Sequence, residues 1–511
     1  MSEHADTKRL MRNTLMLYFR MLLSTCIGLY TSRIVLEALG IDDFGIYNVV
    51  GGIVTLLAFL NTSMSRGTER FLLVELGKKD FEELKKTFAL TVTIHCGLAL
   101  VILIFAETLG LWFINAHLNV PAERICAVNW VYQCSVFSFI VGVLQVPYMA
   151  SIVARERMSI YAYVSLGEAA LKLLLVFLLT HLGGDKLIIY ALLCAGTSFS
   201  VAMTYRFFCR ILFEECRFRF YFDAKKAREI VSFTGWSLVS HFTGALSGQG
   251  TNILLNQFFG PAVNAARGIA FQVSGTIQNF VSNFQTAAGP QIVKTHVAGE
   301  IAQERALILK TCRLSFFLLM IFAIPVILEC GFILKIWLVS VPAQTEIFLQ
   351  IIIIQGLVTT SALPMFQALM ATGNIRAHQI GFAALHALYF AGSYAALCFG
   401  ATATSVFLLG VIMEALMMCW RVLLLKKQIQ FSVRIYFRQV VVPAGVVFIL
   451  AGTLPLFIHL SLGEGWLRLL AVGISSLVCC AISIFFFGVT LSERKFLLEK
   501  SVLKFRNLWR A

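Results

Sequence analysis

"ALGIDDFGIYNVVGGIVTLLAFLNTSMSRGTERFL" runs from Ala38 to Leu72, and "FFGPAVNAARGIAFQVSGTIQNFVSNFQTAAGPQIV" from Phe258 to Val293. The second stretch lies about 220 residues after the first. In each, a long apolar run reaches a glycine turn, a second run follows, and a basic segment closes the unit. A further pair keeps the order: "VPYMASIVARERMSIYAYVS" from Val146 and "LPMFQALMATGNIRAHQIGF" from Leu363. Each proline is read as ending the fourth helix of its half, with a short basic loop after it. The chain therefore reads as two copies of six helices. Six is even, so both copies cross a bilayer in the same sense, as parallel repeats about an axis normal to the membrane.

Composition supports a membrane chain. Of 511 residues, 59% are hydrophobic and 14% charged, with a mean hydropathy of +0.82. A soluble domain would carry about a quarter charged residues. Apolar runs of bilayer length fall near 13–38, 45–63, 88–108, 125–148, 158–180, 187–205, 230–258, 262–284, 311–333, 346–370, 378–398, 403–420, 438–460 and 466–489. The fold class expected is an all-α polytopic membrane protein with about 14 transmembrane helices. Two parallel six-helix repeats form N- and C-lobes, and two extra helices follow. The boundaries are 1–208 for the N-lobe, 209–229 for a cytoplasmic linker and 230–425 for the C-lobe. The extra pair takes 438–489 and a basic tail takes 490–511. The linker begins "CRILFEECRFRFYFDAKKAREI" at Cys209, and its Arg–Phe alternation suits a stretch lying on the inner leaflet.

Lysine and arginine orient the bundle. With the N-terminus in the cytoplasm, 34 of the 42 basic residues fall on that side, from Lys8 to Arg510. The other side holds Arg124, Lys186, Lys335 and Arg468, and four lie inside helices: Arg20, Arg33, Lys172 and Arg267. The net charge of +15 follows from this anchoring against anionic lipid. It needs no nucleic-acid partner. The polar start "MSEHADTKRLMRN" predicts no cleavable signal peptide. The 13 cysteines sit mostly singly in apolar runs, as small buried side chains. No metal or other cofactor is expected. "GIDDFG" and "GLYTSR" match no phosphate loop, and the external loops are too short for a catalytic domain.

The eighth helix carries polar groups that hydrocarbon cannot satisfy. Arg267, Ser274, Gln278, Ser282 and Gln285 share one face. Gln272, Thr276, Asn279 and Asn283 share another, about 150° away. At least one face should line water or a polar partner. The seventh helix adds Gln249, Asn252 and Asn256, and the first puts Arg20, Ser24 and Thr31 on one face. His95, His241 and His386 read as packing or hydrogen-bonding groups, with His241 aligned to Arg20 across the repeat. Glu37 stands four after Arg33, and Glu168 four before Lys172, each at ion-pair spacing. Glu107, Glu329, Glu346 and Glu414 are expected mostly near helix ends, and no aspartate within a helix. Arg20 and Arg267 have no acid at helical spacing, so an anionic ligand is their natural partner. The competing readings are snorkelling for Arg33 and Arg267, and a structural ion pair for Lys172.

The motifs "SRIVLEALGIDDFGIYNVVGGIV", "FLNTSMSRGTERFL" and "NAARGIAFQVSGTIQNFVSNFQTAAGPQIVKTH", with the helix count, resemble the multidrug/oligosaccharidyl-lipid/polysaccharide (MOP) flippase superfamily. The likeness is to its polysaccharide transporter branch, the O-antigen and capsular Wzx-type flippases. That resemblance implies a bacterial inner-membrane protein, not an enzyme, with two lobes around a cationic cavity. It implies transport of an undecaprenyl-diphosphate-linked oligosaccharide to the outer leaflet, with membrane lipid and the polysaccharide polymerase and assembly machinery as partners. The cationic feature falls on Arg20, Arg33, Lys172 and Arg267. The amides placed beside it are Asn252, Asn256, Gln272, Gln278, Asn279 and Asn283. Two rivals stand against this reading. A drug or organic-cation antiporter would need intramembrane acids, and a membrane glycosyltransferase would need a loop large enough for a site.

Overall fold

The computed structural model describes residues 2–58, 64–65, 68–69, 71–72, 75–76, 80–155, 157–217, 221–372, 374–490 and 493–494. Within them, the side chains of 2–22, 24, 153, 158–159, 161–162, 231–240, 283, 286–287, 290 and 297 lie outside the description. The described chain is helical throughout. Helix α1 (Ser2–Thr55) is kinked at Gly40. Then come α2 (Phe81–His117), α3 (Ile125–Ala154), α4 (Met158–His181) and α5 (Lys186–Leu212). Helix α6 (Ala224–Ala245) continues through a π turn at Leu246–Gly250 into α7 (Thr251–Phe259), and α8 (Pro261–Val297) follows. The remaining helices are α9 (Ile301–Leu328), α10 (Cys330–Trp337), α11 (Thr345–Ala371), α12 (Arg376–Cys398), α13 (Ala403–Ile429), α14 (Val433–Ser461) and α15 (Trp466–Gly488).

Ten helices among the described residues are long and apolar enough to cross a membrane, so this is a multi-pass membrane protein. They coincide with ten of the fourteen expected runs. The other four are 13–38, 45–63, 230–258 and 262–284, the first two of each half. The runs at 13–38 and 45–63 fall on the two arms of α1, as far as they are described. The run at 230–258 crosses the undescribed side chains of 231–240. Helix α8 is 37 residues long, so its polar amides, not its length, keep it out of the apolar set.

The repeat is written in the backbone. Gly40 has φ 79° and ψ 172°, and Gly260 has φ 80° and ψ −177°. Both stand in the left-handed region that a Cβ disfavours. They occupy matching places in the two quoted stretches. The second arm of α1 starts immediately after Gly40, so it takes Asp42 and Asp43 into its first turn. The expectation of no intrahelical aspartate is thereby corrected, for a physical reason: a helix N-terminus favours carboxylates.

The prolines do not end their helices. Pro147 lies inside α3 and Pro364 inside α11. A transmembrane helix continues past proline when other groups take the carbonyl it strands. Pro364 cannot donate to the carbonyl of Thr360, and the Gln285 amide donates to that oxygen instead, at 2.8 Å. One polar residue of α8 is thus an internal repair.

The chain divides into two compact units. The first comprises Met1–Gly268, Leu338–Ala343 and His386–Ala403. One core packs Ile46, Val49 and Val50 of α1 against Val128, Val131 and Tyr132 of α3 and Leu187 and Ala191 of α5. Another joins Phe88 and Tyr148 to Cys209, Phe213 and Cys216. The beginning of the linker therefore packs into the first unit rather than lying free on a leaflet. Glu215 is 4% exposed and accepts from Arg155 Nε at 2.6 Å. Lys226 donates to Glu75 at 3.1 Å, Glu83 at 2.8 Å and Thr87 at 2.7 Å. Phe222, further along, is exposed.

The opposite end of this unit is fastened by Arg124. Its guanidinium donates through Nε to Asp43 at 3.0 Å, and through Nη1 to Asp185 at 2.7 Å. Asp185 also caps α5, accepting from the Leu187 amide at 3.0 Å. Burial pushes the Asp185 carboxyl up, but Arg124 and the helix amides outweigh it and hold it below the ordinary carboxylate value. Burial dominates at Asp43 and holds it above that value. The depressed Asp185 contributes stability above its unfolded pKa, and loses it as pH falls through the folded one. Arg124→Ala is expected to cost about 1–3 kcal/mol near neutral pH, from a half-buried ion cluster losing its cation. Thermal melting in detergent should show the gap to the unsubstituted protein closing below about pH 4, where model carboxylates protonate. A gap unchanged at acid pH would contradict the ionic account.

The second unit comprises Ile269–Trp337, Gln344–Leu385 and Thr404–Ala511. Its core gathers Ile308 and Cys312 of α9, Met365 and Leu369 of α11, Leu425 and Ile429 of α13, and Tyr436 and Val440 of α14. The hairpin α14–α15 is tied to α9 at both ends. Glu329, fully buried, accepts from His459 Nδ1 at 2.8 Å and Arg468 Nη2 at 3.0 Å. At the other end Arg313 pairs with Glu493. Arg313 and Arg421 were counted with the cytoplasmic basic residues, yet each is at most 5% exposed. Their stems and guanidinia are packed inside the unit. Glu414 also departs from expectation, lying in the middle of α13.

Candidate functional site

In the first unit, the second arm of α1 meets α7 and the start of α8 along a polar seam. Three glycines set the spacing. A Cβ at Gly45 would lie 1.9 Å from the Pro261 carbonyl oxygen, and one at Gly52 2.8 Å from Gln249 Oε1. One at Gly268 would lie 2.9 Å from Asn48 Oδ1. Such contact brings backbones close enough for side-chain amides to bridge them.

The amides do so. Asn264 donates to both the carbonyl and Oδ1 of Asn252, at 2.6 and 2.8 Å. Asn252 donates to the Asn48 carbonyl at 3.3 Å. Asn256 Oδ1 accepts from the Asn119 amide at 3.1 Å. Asn252, Asn256 and Asn264 are each at most 2% exposed. Among the described residues, Asn256 Nδ2 and Asn264 Oδ1 in this network find no partner, so a donor and an acceptor remain over there. Arg267 stands at the edge of the seam, one turn beyond Asn264, and is half-buried. Its Nη2 donates to the Gly248 carbonyl at 2.8 Å. Gly248 belongs to the π turn, where the helical ladder widens and carbonyls become available to side chains. Tyr389 lies within electrostatic reach of the guanidinium.

The remaining candidates lie elsewhere. Lys172 pairs with Glu168 at 2.7 Å, and both are exposed, which supports the structural ion pair. Arg33 and Glu37 are both exposed. The side chains of Arg20 and Asn283 lie outside the described residues. On the second unit's part of α8, Gln278 donates to Ser274 Oγ at 2.9 Å and abuts Gly356 of α11. Gln272 is half-buried and accepts from Thr276 through its carbonyl, and Asn279 is exposed. The structure therefore joins Asn252, Asn256 and Arg267 in one seam. It adds Asn48, Asn264 and Gly248, which the sequence reading did not assign to a site. Their signal was an asparagine four residues from a glycine, on helices whose contact is tertiary.

The sequence pattern of the polysaccharide biosynthesis protein family matches residues 10–296, more than half of the chain. The chain belongs to that family. Its fold is that of the MOP superfamily. It is similar to a solved lipid II flippase, MurJ, in an inward closed conformation, at 12% identity and a TM-score of 0.68, covering 93% of this chain and 98% of that one. It is similar to the DinF-BH MATE multidrug transporter at 13% identity and a TM-score of 0.59, covering 83% and 96%. A multidrug resistance MATE transporter in an inward-facing conformation matches at 12% identity and a TM-score of 0.55, covering 94% and 99%. No curated protein matches the sequence. At such identities the structural likeness carries the fold, and the family comes from the sequence match.

Proposed function

We propose that this protein is a flippase. It carries an undecaprenyl-diphosphate-linked oligosaccharide, an O-antigen or capsular repeat unit, from the inner to the outer leaflet of a bacterial cytoplasmic membrane. Its termini face the cytoplasm, and polysaccharide polymerase receives the product. The observation that carries this reading is Arg267, a half-buried cation beside the buried amides of the seam, donating to a backbone carbonyl. A diphosphate cannot cross hydrocarbon bare, because burying its charge costs many kcal/mol. A guanidinium meets phosphate oxygens with a two-pronged fork, a stronger acceptor than the neutral Gly248 carbonyl. The seam's amides suit sugar hydroxyls, which need donors and acceptors together. The polyprenyl tail stays in lipid while the path opens alternately to either side. With the interior negative, outward movement of the anion gains about 2.3 kcal/mol per charge per 100 mV.

Purified protein in vesicles tests this. Polyprenyl-diphosphate oligosaccharide placed in one leaflet should become accessible to a membrane-impermeant glycosidase from the other, faster than in protein-free vesicles. Equal rates, with uptake of a fluorescent organic cation instead, would support the antiporter reading.

A further inference from the structure

We propose that the first unit carries a site for the phosphate of an anionic glycerophospholipid, built by Arg206 and Arg210 on the lipid-facing side of α5 and by the Tyr148 ring of α3. Both arginines stand in the last two turns of α5, one helical turn apart. The large exposed residues on this side of α5 are Leu192, Phe199, Met203 and Phe207, at helical spacing with Arg210. All four are apolar, so in a membrane helix this face meets acyl chains. Phe199 also packs beside the exposed Phe137 of α3, with ring centroids 6.1 Å apart. Arg206 lies at the edge of that face and is half-buried, and Arg210 is exposed. The Arg206 guanidinium carbon sits 5.7 Å from the centroid of the buried Tyr148 ring. That cation–π contact fixes its position.

Neither arginine has an ion pair or a hydrogen bond among the described residues. Arg206 Nε is buried without a partner, whereas Nη1 and Nη2 are not buried. The accessible end of the guanidinium is therefore the end with paired N–H groups. The acids that follow α5 are engaged with other cations: Glu215 with Arg155 at 2.6 Å and Glu214 with Lys85 at 3.9 Å. A cation at the edge of hydrocarbon needs a counter-charge, and the described residues supply none. A lipid phosphate does, because a guanidinium grips two of its oxygens at once. A lipid of net negative charge fits better than a zwitterionic one. The ammonium of a zwitterionic headgroup would need an acid of its own, and Glu214 and Glu215 are taken. Phe207, Met203 and Phe199 continue the stripe along α5, where the acyl chains of the same lipid would run. The ring under Arg206 separates this site from diffuse attraction to mobile surface lysines. It does not rest on the transport reading.

The test titrates the full-length protein in neutral detergent with phosphatidylglycerol, with phosphatidylcholine of the same chains, and with inorganic phosphate. Native mass spectrometry counts bound lipid, and the melting temperature reports binding to the folded state. Phosphatidylglycerol should bind saturably and more tightly than phosphatidylcholine, and inorganic phosphate should not reproduce the effect. Arg206→Gln should weaken phosphatidylglycerol binding about tenfold, the loss expected of a charge-assisted hydrogen bond. Arg210→Gln should weaken it less. Lys426→Gln, which removes an exposed charge from α13 of the second unit, should leave it unchanged. If Arg206→Gln fails to fold, the lipid selectivity of the unsubstituted protein and the Arg210→Gln titration decide by themselves. Equal binding of the two lipids, or an effect reproduced by free phosphate, would overturn the proposal. So would affinity unchanged in the arginine variants, or weakened as much by Lys426→Gln.

Discussion

Replacing Arg267 with alanine is expected to slow translocation of the lipid-linked substrate ten- to a hundredfold, with the protein still folded and inserted. The magnitude follows from one charge-assisted hydrogen bond, about 1.5–3 kcal/mol when the partner is ionised. Folding should survive because the Gly248 carbonyl keeps a second donor, the Thr251 hydroxyl at 2.9 Å. The seam itself is held by Asn252 and Asn264, not by the guanidinium. A graded series separates electrostatics from propping. Arg267→Gln preserves a donor for Gly248 but removes the charge, and should transport as poorly as alanine. Arg267→Lys keeps the charge but loses the fork, and should fall between. If the glutamine variant flips substrate at the normal rate, Arg267 merely braces the π turn, and the anion reading of the seam fails. Glycan export in cells and the vesicle assay should rank the variants identically.

The sequence and the structure agree where a property is local or periodic. Ten apolar runs became ten membrane helices because hydropathy alone decides them. The repeat was visible as two glycine turns, and Gly40 and Gly260 adopt nearly one backbone conformation. Lys172 and Glu168 were legible as a pair because one helix turn separates them. Legibility ends where a partner comes from another helix. Gln285 stood on a face expected to meet water or a polar partner, but that its partner is the carbonyl Pro364 strands, a relation spanning 75 residues, was not legible. Arg313 and Arg421 looked like anchors at the membrane surface because the charge count cannot see burial. Asn48 and Asn264 went unassigned because only the approach of α1 to α7 and α8 gives them partners. Arg267 was singled out for having no acid at helical spacing, and its Nη2 donates to a backbone carbonyl in a π turn, which no side-chain spacing encodes.

That approach of helices rests on Gly45, and Gly45→Ala should be the most damaging single methyl addition in the first unit. The new Cβ would meet the Pro261 carbonyl oxygen at 1.9 Å and its carbon at 2.5 Å. Both are backbone atoms, and Pro261 follows Gly260, whose left-handed turn fixes the path from α7 into α8. No rotamer change relieves such a clash, so the arm of α1 must retreat by more than an ångström. Overpacking a core costs about 1–3 kcal/mol even where side chains can yield, and more where they cannot. The retreat would also lengthen Asn252 to Asn48, already 3.3 Å, beyond a hydrogen bond. A loss of about 3 kcal/mol or more is therefore expected, seen as a collapse of monodisperse protein on size-exclusion chromatography. Two neighbouring glycines calibrate the claim. Gly52→Ala meets the ends of two flexible amides at 2.8 and 2.9 Å, so it should be milder. Gly51→Ala meets nothing within 4 Å and should be neutral or slightly stabilising, since alanine favours helix. If Gly45→Ala behaves like Gly51→Ala, the helices are not in backbone contact there. The amide seam that presents Arg267 would then have no scaffold.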